Sequence, residues 1–320
     1  MPTGLIPFTQ QLVQLVNQPT PGTFLAPNPA TNSLLFFNGA ISAEGDKDEI
    51  TQSDWLFSAP QNSGISNIRF SAEGDIRAVG NANAGTLPPW DFLMRLAGHV
   101  VTVTAGTKVL YEPTQSITIN GSMDSHQSGE QYLAKDCKAV LLSFKAEIGK
   151  TPLLRFRILG AESSDPADSA LANAVTTDFI VPLNCSTDTG KLIYDGVAIE
   201  AYAFEIDFGA ALETKPNFEV SYTALASRSV SISVRQNKQD LSVMNYWARA
   251  KTGAKVPLIL GLTSSLQTAK GVKWTFPAFQ LSELPLLTQD GNFTQRTLKG
   301  YAIAETAGSE YDAEFGNVTI

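Results

Sequence analysis

The chain has 320 residues, of which 17% are charged, and carries a formal net charge of −8 with a pI near 4.9. This length suits about two domains of ~100–200 residues each, and the acidic balance argues against a protein that grips nucleic acid through Lys and Arg. Two cysteines, Cys137 and Cys185, are too few for a disulfide framework, so reduced thiols are the expectation, and the sequence leaves open whether they pair.

Prolines shape the first thirty residues. They stand at positions 7, 19, 21, 27 and 29 and break any long helix or central strand. Gln18–Asn32 is therefore predicted to be an ordered loop or an arm that lies on a neighbour, and Leu34–Asn38 a short strand. Met1–Asn17 lacks a basic segment followed by an apolar one, so no signal peptide is expected. No run approaches ~18 apolar residues, so no membrane span is expected either.

Alternating apolar and polar residues predict most of the first half to be strands. Ile68 and Phe70 alternate with Arg69 and Ser71, which is the period of a half-buried strand. Predicted strands cover Ile65–Gly80, Lys108–Glu112, Ile117–Met123 with a turn at Asn120-Gly121, and the pair Lys138–Ala146 and Leu153–Leu159 joined through Gly149.

One helix interrupts these strands, at about Pro88–Ala97. Prolines suit its first turn, with Thr86 or Leu87 as the cap, and Gly98 ends it. Its apolar residues, Trp90, Leu93, Met94 and Ala97, follow the spacing of one helix face and are predicted to pack on the sheet.

The second half repeats this plan after a segment, Ala161–Asp178, that is rich in Ser, Asp and Ala and predicts a linker. A helix is predicted at about Leu241–Lys251, capped by Asp240 and ended by Gly253. The predicted buried face of this helix consists of Met244, Trp247 and Ala248. Predicted strands are Ile193–Phe208 with a turn at Asp195-Gly196, Ser229–Val234, Pro257–Leu262, Val272–Gln280 and Thr294–Ala304.

Both halves are thus predicted to contain strands, one amphipathic helix and further strands, and this repeated order favours an internal duplication. We expect a mainly β protein of two tandem domains, each a sandwich or half-barrel with one helix. The expected boundaries are residues 1–160 for the first domain with its N-terminal arm, 161–180 for the linker and 181–320 for the second domain.

Catalytic and ligand-binding patterns are missing from the sequence, so no enzyme, cofactor or metal site is predicted. His99 and His126 are the only histidines, and no other candidate zinc ligands stand at suitable spacing. No serine lies in a G-x-S-x-G turn, and no glycine-rich phosphate loop occurs. Glu44–Glu49 and Glu310–Glu314 are acidic, without the spacing of a calcium loop, and are expected to be solvated. Arg155 and Arg157 alternate on one strand, which suits a surface face or an interface.

Several segments resemble the tail tube proteins of long-tailed bacteriophages. The first is Gly85-Thr-Leu-Pro-Pro-Trp-Asp-Phe-Leu-Met-Arg-Leu-Ala-Gly98, similar to the family's Pro-Pro step, apolar helix and closing glycine. The others, in chain order, are Leu110–Pro113, Ile117–Gly121, Lys135–Val140, Ala146–Gly160, Phe204–Gly209 and Gly316–Ile320. The resemblance covers residues 65–160 and 195–320. It departs from the family at residues 1–64 and at Cys137, where the family shows a glycine.

The resemblance implies a structural virion protein located in the tail and assembled in the host cytoplasm. Tail tube domains join their sheets around a ring of about six, and the rings stack into a hollow tube that conducts DNA during ejection. Two domains per chain would make a homotrimeric, pseudo-hexameric ring. The implied partners are further copies of the chain, the tape measure protein, the tail terminator and the baseplate or tip proteins, with DNA passing through the lumen unbound and no membrane involved. A non-contractile tail is favoured.

Two further expectations follow from the resemblance to tail tube proteins. An acidic lumen would repel DNA phosphates, so that DNA slides through it. The loops near Glu44–Pro60 and Ala210–Ala226 are long and lie between strands, so they are expected to contact the next ring.

Two alternative functions stay open at the level of sequence. One is a different tail structural protein, such as a hub or a terminator, which differs from a tube protein by its low copy number in virions. The other is a carbohydrate-binding β-sandwich module, which would need aromatic side chains exposed on one face.

Overall fold

A computed structural model describes residues 11–53, 58–169, 174–216, 221–240, 242–290, 293–306 and 308–320. Its first half contains β1 (Gln11–Gln18), β2 (Ser33–Leu34), β3 (Phe37–Ser53), β4 (Ser58–Arg77), α1 (Asp91–Leu96), β5 (His99–Thr104), β6 (Lys108–Pro113), β7 (Asn120–Gln127), β8 (Glu130–Glu147) and β9 (Leu153–Asp168).

Its second half contains β10 (Gly190–Tyr194), β11 (Val197–Ala198), β12 (Ala201–Asp207), β13 (Ala211–Pro216), β14 (Ser221–Ser227), β15 (Ser231–Asn237), α2 (Tyr246–Thr252), β16 (Lys255–Leu262), β17 (Gly271–Leu281), β18 (Leu287–Asp290), β19 (Phe293–Ala302) and β20 (Asp312–Gly316). The mainly β prediction is confirmed. No helix within these described segments is long and apolar enough to cross a bilayer.

A long antiparallel sheet is the backbone of the molecule. Its strands lie in the order β3-β4-β9-β8-β12-β15-β19-β18, so it runs without a break from the first half of the chain into the second. We call it the long sheet. The alternation read from the sequence places its faces correctly: Phe70, Ala72 and Ile76 of β4 are buried, whereas Arg69 and Glu73 point to the other face.

The two halves contribute four strands each to the long sheet, in the same arrangement. In the first half the chain order β3, β4, β8, β9 becomes the spatial order β3-β4-β9-β8. In the second half β12, β15, β18, β19 becomes β12-β15-β19-β18. In each half the helix follows the second of these strands, and a hairpin arm separates the first strand from the second.

A second layer of strands packs on the buried face of the long sheet. Its order is β11-β10-β16-β17-β20-β6-β5, and β19 connects it to the long sheet by pairing with β17. Aromatic side chains join the layers: the ring of Trp274 lies 5.3 Å from those of Phe144 and Phe208. Buried residues of both halves therefore form one continuous core.

The first helix forms where the sequence predicts it, although it is shorter. It begins after Trp90, which caps it without a side-chain hydrogen bond, so the predicted cap at Thr86 or Leu87 is wrong. The two prolines precede the helix, because neither can donate a backbone hydrogen bond to a preceding turn. Trp90, Leu93, Met94 and Ala97 are all at most 4% exposed, which confirms the predicted face. Gly98 follows with φ 81°, as expected of a glycine that ends a helix.

The second helix also lies in the predicted region, but its start and its buried face differ. Asn245, and not Asp240, caps it, because the Asn245 side chain accepts a hydrogen bond from the Ala248 amide. Gly253, with φ 63°, ends it as predicted. Since Met244 precedes the helix, the helical spacing does not apply to it, and the predicted face is wrong: Met244 and Tyr246 are buried, while Ala248 is exposed.

The predicted linker begins too early. Residues 161–168 continue β9 and pair with β8, as in Ala161 opposite Lys135 and Asp168 opposite Glu130. A strand tolerates such a polar sequence here because this part of β9 lies at the surface, where side chains need no apolar cover. Residues 174–180 are loop.

The predicted turns divide into correct and wrong ones. Asp195-Gly196, with φ 51° and 77°, forms the predicted tight turn, and Gly149 lies in the β8–β9 connection with φ 83°. Asn120-Gly121 does not turn. Instead it begins β7, which pairs on both sides, and the reversal occurs at Ser128-Gly129.

Candidate assembly interface

The long sheet contains a junction at which one half of the chain pairs with the other. Ser143–Glu147 of β8 lie antiparallel to Ala203–Asp207 of β12. Because β8 is the last strand of its four-strand unit and β12 the first strand of the next, the junction joins two units of identical strand order edge to edge.

Both faces of this junction are built for contact. On the buried face, the rings of Phe144 and Phe204 lie 5.7 Å apart, within the range of favourable aromatic pairs. On the opposite face, Lys145 Nζ lies 2.7 Å from Glu205 Oε1, directly across the two strands. Backbone pairing, aromatic packing and an ion pair therefore act at the same place.

The outer edges of the long sheet have no strand partner among the described residues. At one end β3 pairs only with β4, and it presents a strand of 17 residues to solvent along its other side. At the other end β18 pairs only with β19. Leu284, Leu286 and Leu287 cluster at this second edge and are 43%, 63% and 47% exposed. Long unpaired strands and exposed leucines are features that proteins avoid on a free surface.

Two hairpin arms extend from the long sheet, one from each half. Residues 44–60, expected to be a loop, belong to the β3–β4 arm, and residues 210–226 to the β13–β14 arm. The two strands of each arm pair antiparallel, so residues 44–53, 58–60, 211–216 and 221–226 are strand and not loop, while 54–57 and 217–220 lie outside the described residues. The β13–β14 arm packs near β8 and β9.

The face of the long sheet opposite the core is polar, and we call it the charged face. Arg155 and Arg157 lie on it, as their alternation predicted. We limit this name to the sheet without residues 130–142 of β8, where Lys135 and Lys138 lie on the same side. The acidic members of the charged face are Glu44, Asp46, Glu73, Asp75, Glu147, Glu205 and Asp207, and its basic members are Arg69, Arg77, Lys145, Arg155, Arg157, Arg235 and Lys299.

A C-terminal strand ties the halves together in the second layer. β20 comes from the end of the chain and lies between β6 of the first half and β17 of the second. Beside it, Tyr311 donates a hydrogen bond of 2.7 Å to Nε2 of His99, whose Nδ1–H donates to the Met94 carbonyl at 2.9 Å. Burial, with a smaller contribution from Arg228, lowers the pKa of His99 to about 3. The imidazole is thus a neutral link between the halves.

His126, Cys137 and Cys185 lie in surroundings typical of structural residues. His126 lies inside β7, not in a loop, and its Nε2 is 3.1 Å from Asp124 Oδ1. Cys137 and Cys185 are buried free thiols, and burial raises the pKa of both. Cys137 packs over Gly160. The tail tube family shows a glycine at the position of Cys137, so in this chain a glycine lies opposite that position. Across the described ranges no three His, Cys, Asp or Glu side chains are placed to hold a metal ion.

A cleft of about 750 Å³ lies beside the junction, between the end of β8, β12 and β10. Phe204, Leu192 and Ile320 form its apolar wall, while Glu147 and Cys185 also line it. The raised pKa of Cys185 keeps this thiol protonated and unreactive at neutral pH. Cys185 is therefore not an activated nucleophile in this cleft.

Aromatic side chains do not form a sugar-binding platform among the residues described. Trp90 and Trp274 are buried in the core, and Trp247, a residue of α2, is partly covered. Trp55 lies outside the described residues. The exposed Tyr301 stands on β19 without another exposed aromatic residue beside it in the register.

The described residues thus show two sheet edges without a strand partner, an internal pairing of two such four-strand units, and two hairpin arms. No protein-family model matches the chain, and a search of curated proteins found no significant match.

Proposed function

We propose that this protein is a structural subunit that pairs edge to edge with further copies of itself into a closed ring, and that the rings stack into a hollow phage tail tube that conducts DNA. One observation carries the proposal. The β8–β12 junction is an internal copy of the contact that would form between chains, because β18 occupies in the second half the place of β8, and β3 occupies in the first half the place of β12.

The ring follows from repetition of this contact. If β18 of one chain pairs with β3 of the next, each chain adds two four-strand units to a continuous sheet, and a head-to-tail contact of this kind closes into a ring. Three chains would give six units, as the resemblance to tail tube proteins implies. Closure would also cover the long free edge of β3 and the exposed leucines at β18.

The elements that pack on one face of the long sheet determine which face can point into the ring. The second layer and α1 pack on the buried face, so only the charged face can line a bore. This changes one expectation from the sequence. The charged face carries as many acidic as basic side chains, so the bore would be balanced in charge, not acidic, and the acidic excess of the chain lies elsewhere.

Catalysis plays no part in the proposal. Neither histidine stands beside an exposed nucleophile, and both cysteines are held as buried thiols. The proposed role as a non-enzymatic virion component rests on the assembly geometry and on the sequence resemblance.

The proposal is tested by observing whether the purified chain assembles, and whether variants with changes at an edge of the long sheet still do. Negative-stain electron microscopy at rising concentration should show rings of about six similar densities, and stacked tubes. Leu286→Lys with Leu287→Lys places two charges at the β18 edge and should abolish rings while leaving thermal unfolding unchanged, because both side chains are exposed in the single chain.

A matched control uses the same type of change away from the edge. Leu266 is 93% exposed and does not belong to β18 or β3, so Leu266→Lys should assemble normally. Rings that persist in the double variant would refute pairing at this edge. A chain that stays monomeric at all concentrations, even after addition of preformed tail tips, would refute the tube function.

A further inference from the structure

The basic side chains of the charged face are already engaged by carboxylates of the same face. Arg157 lies 2.7 Å from Glu44, and Arg155 lies 2.6 Å from Glu73. Arg69 lies 2.7 Å from Asp46. Two pairs join the halves, Lys145 of β8 with Glu205 of β12 at 2.7 Å and Arg235 of β15 with Glu147 of β8 at 3.6 Å. Within the second half, Lys299 lies 3.2 Å from Glu283, which precedes β18.

The remaining charged groups of this face are occupied as well. The Arg77 guanidinium lies 4.7 Å from the centre of the Phe37 ring, and Asp75 lies 3.7 Å from Arg155. Asp207 accepts a hydrogen bond from the Gly209 amide at 2.9 Å. The pairs extend over both four-strand units and across the junction, so they form one pattern along the whole face.

Stability does not explain such a pattern. Exposed ion pairs contribute only about 0–1 kcal/mol each, and Arg157 with Glu44, or Lys145 with Glu205, are more than one third exposed on both sides. What the pairing changes is the affinity for an outside anion. A phosphate gains most when it neutralises a free Arg or Lys and releases counterions, and here the carboxylate has taken that place.

We infer that the charged face is a self-neutralised surface, on which carboxylates prevent the arginines and lysines from holding a double-stranded phosphate polymer. The inference rests on the proposed function for the identity of that polymer, DNA in transit, whereas the chemistry rests on the face itself. This differs from repulsion by an acidic bore, because basic residues are present but their ion pairs prevent them from binding DNA phosphates. Removal of the carboxylates should convert the face into a DNA-binding surface.

The experiment neutralises four acids of the face. The variant Glu44→Gln, Glu73→Gln, Glu147→Gln, Glu205→Gln frees Arg157, Arg235 and Lys145 and leaves Arg155 only its longer contact with Asp75, without removing any basic residue. Binding of a labelled 30-base-pair duplex is measured by fluorescence anisotropy at several salt concentrations, with the full-length unassembled chain isolated by gel filtration. Circular dichroism and thermal unfolding establish that the variant is folded.

The matched control neutralises four exposed acids elsewhere, through Asp178→Asn, Asp188→Asn, Asp240→Asn and Glu305→Gln. Both variants have the same net charge, so a difference between them reports position and not total charge.

The expected result is binding at least tenfold tighter by the face variant than by the wild type or the control. Its affinity should fall with salt at a logarithmic slope of about −3 to −4, which corresponds to about four phosphate contacts. Adding Arg155→Gln and Arg157→Gln to the face variant should return the affinity most of the way to the wild-type value. Equal affinities of the face variant and the control would overturn the inference, as would strong DNA binding by the wild type.

The two proposals can fail separately. Tubes from the wild type with no gain of binding in the face variant would remove the inference and leave the assembly. A gain of binding by a chain that never forms rings would leave the chemistry of the face and remove the tube function.

Discussion

At the scale of single residues, His99 shows how burial fixes a state of charge that the sequence does not reveal. His99 follows the first helix, where a cation would be favourable in an exposed setting. Instead Tyr311, distant in sequence, donates to its Nε2 and the Met94 carbonyl accepts from its Nδ1–H, so the ring is held neutral at the seam between the halves. A protonated imidazole could no longer accept a hydrogen bond from Tyr311 and would bring a charge into the core near Arg228.

This predicts a specific dependence of stability on pH. The pKa of His99 is about 3 in the folded chain, below the ordinary value of 6.5, so its contribution is complete above pH 6.5 and is lost as the pH falls toward 3. Between pH 7 and pH 5 the wild type should lose about 2 kcal/mol more of its free energy of unfolding than His99→Gln does. Urea unfolding of both proteins at the two pH values measures this difference. Parallel losses in the two proteins would contradict it.

At the scale of elements, we expect the hairpin arms to contribute more to the proposed assembly than the two helices do. Both helices are short, whereas each arm is inserted at the same point of its four-strand unit, and the β13–β14 arm packs near β8 and β9. The arms are expected to reach the adjacent ring, as the sequence already suggested for the same two segments. Within each arm the two strands pair with each other, while the outer edge of each strand has backbone groups that a neighbouring chain could pair with.

Shortening either arm should separate stacking from folding. Replacing residues 47–65 by a two-residue Asn-Gly turn, or residues 211–227 by a short Gly-Ser linker, leaves most of the core residues in place. We expect single rings or monomers without tubes in electron micrographs, and unfolding temperatures within a few degrees of wild type for the first variant. Normal tubes from both shortened chains would show that the arms do not mediate stacking.

At the scale of the whole molecule, two sheets cross the boundary between the halves. β8 pairs with β12 in the long sheet, and β20 fills the space between β6 and β17 in the second layer. Neither half keeps all its strand partners when the other is removed. The sequence predicts two tandem units. If the chain is divided in this way, the two units share their sheets.

Separation of the halves should therefore abolish folding. Residues 1–180 lose the cover of β20 and β12, and residues 181–320 lose β6 and β8, so each exposes aromatic core residues such as Phe144 or Trp274. We expect both pieces to be insoluble or unfolded by circular dichroism when expressed alone, and a soluble complex when they are expressed together. Two independently folded, monomeric pieces would contradict this.

The sequence alone determined the local features of this protein, because they depend on neighbouring residues. Period-two alternation identified β4, β9, β15 and β17, and glycine with an apolar spacing located α1. It also marked Arg155 and Arg157 as residues of one exposed face. Where local signals conflicted with pairing, as at Asn120-Gly121 and residues 161–168, the strand partners decided and the sequence prediction was wrong.

Only the tertiary structure decided what those elements form together. The partners of the arginines lie 82 and 113 residues away, and β20 reaches strands of both halves, so no local pattern could assign them. The charge balance of the exposed face is likewise a property of register, since it depends on which residues of eight strands point the same way. For the same reason the internal junction, on which the proposed assembly rests, became visible only when the order of strands in the sheet was known.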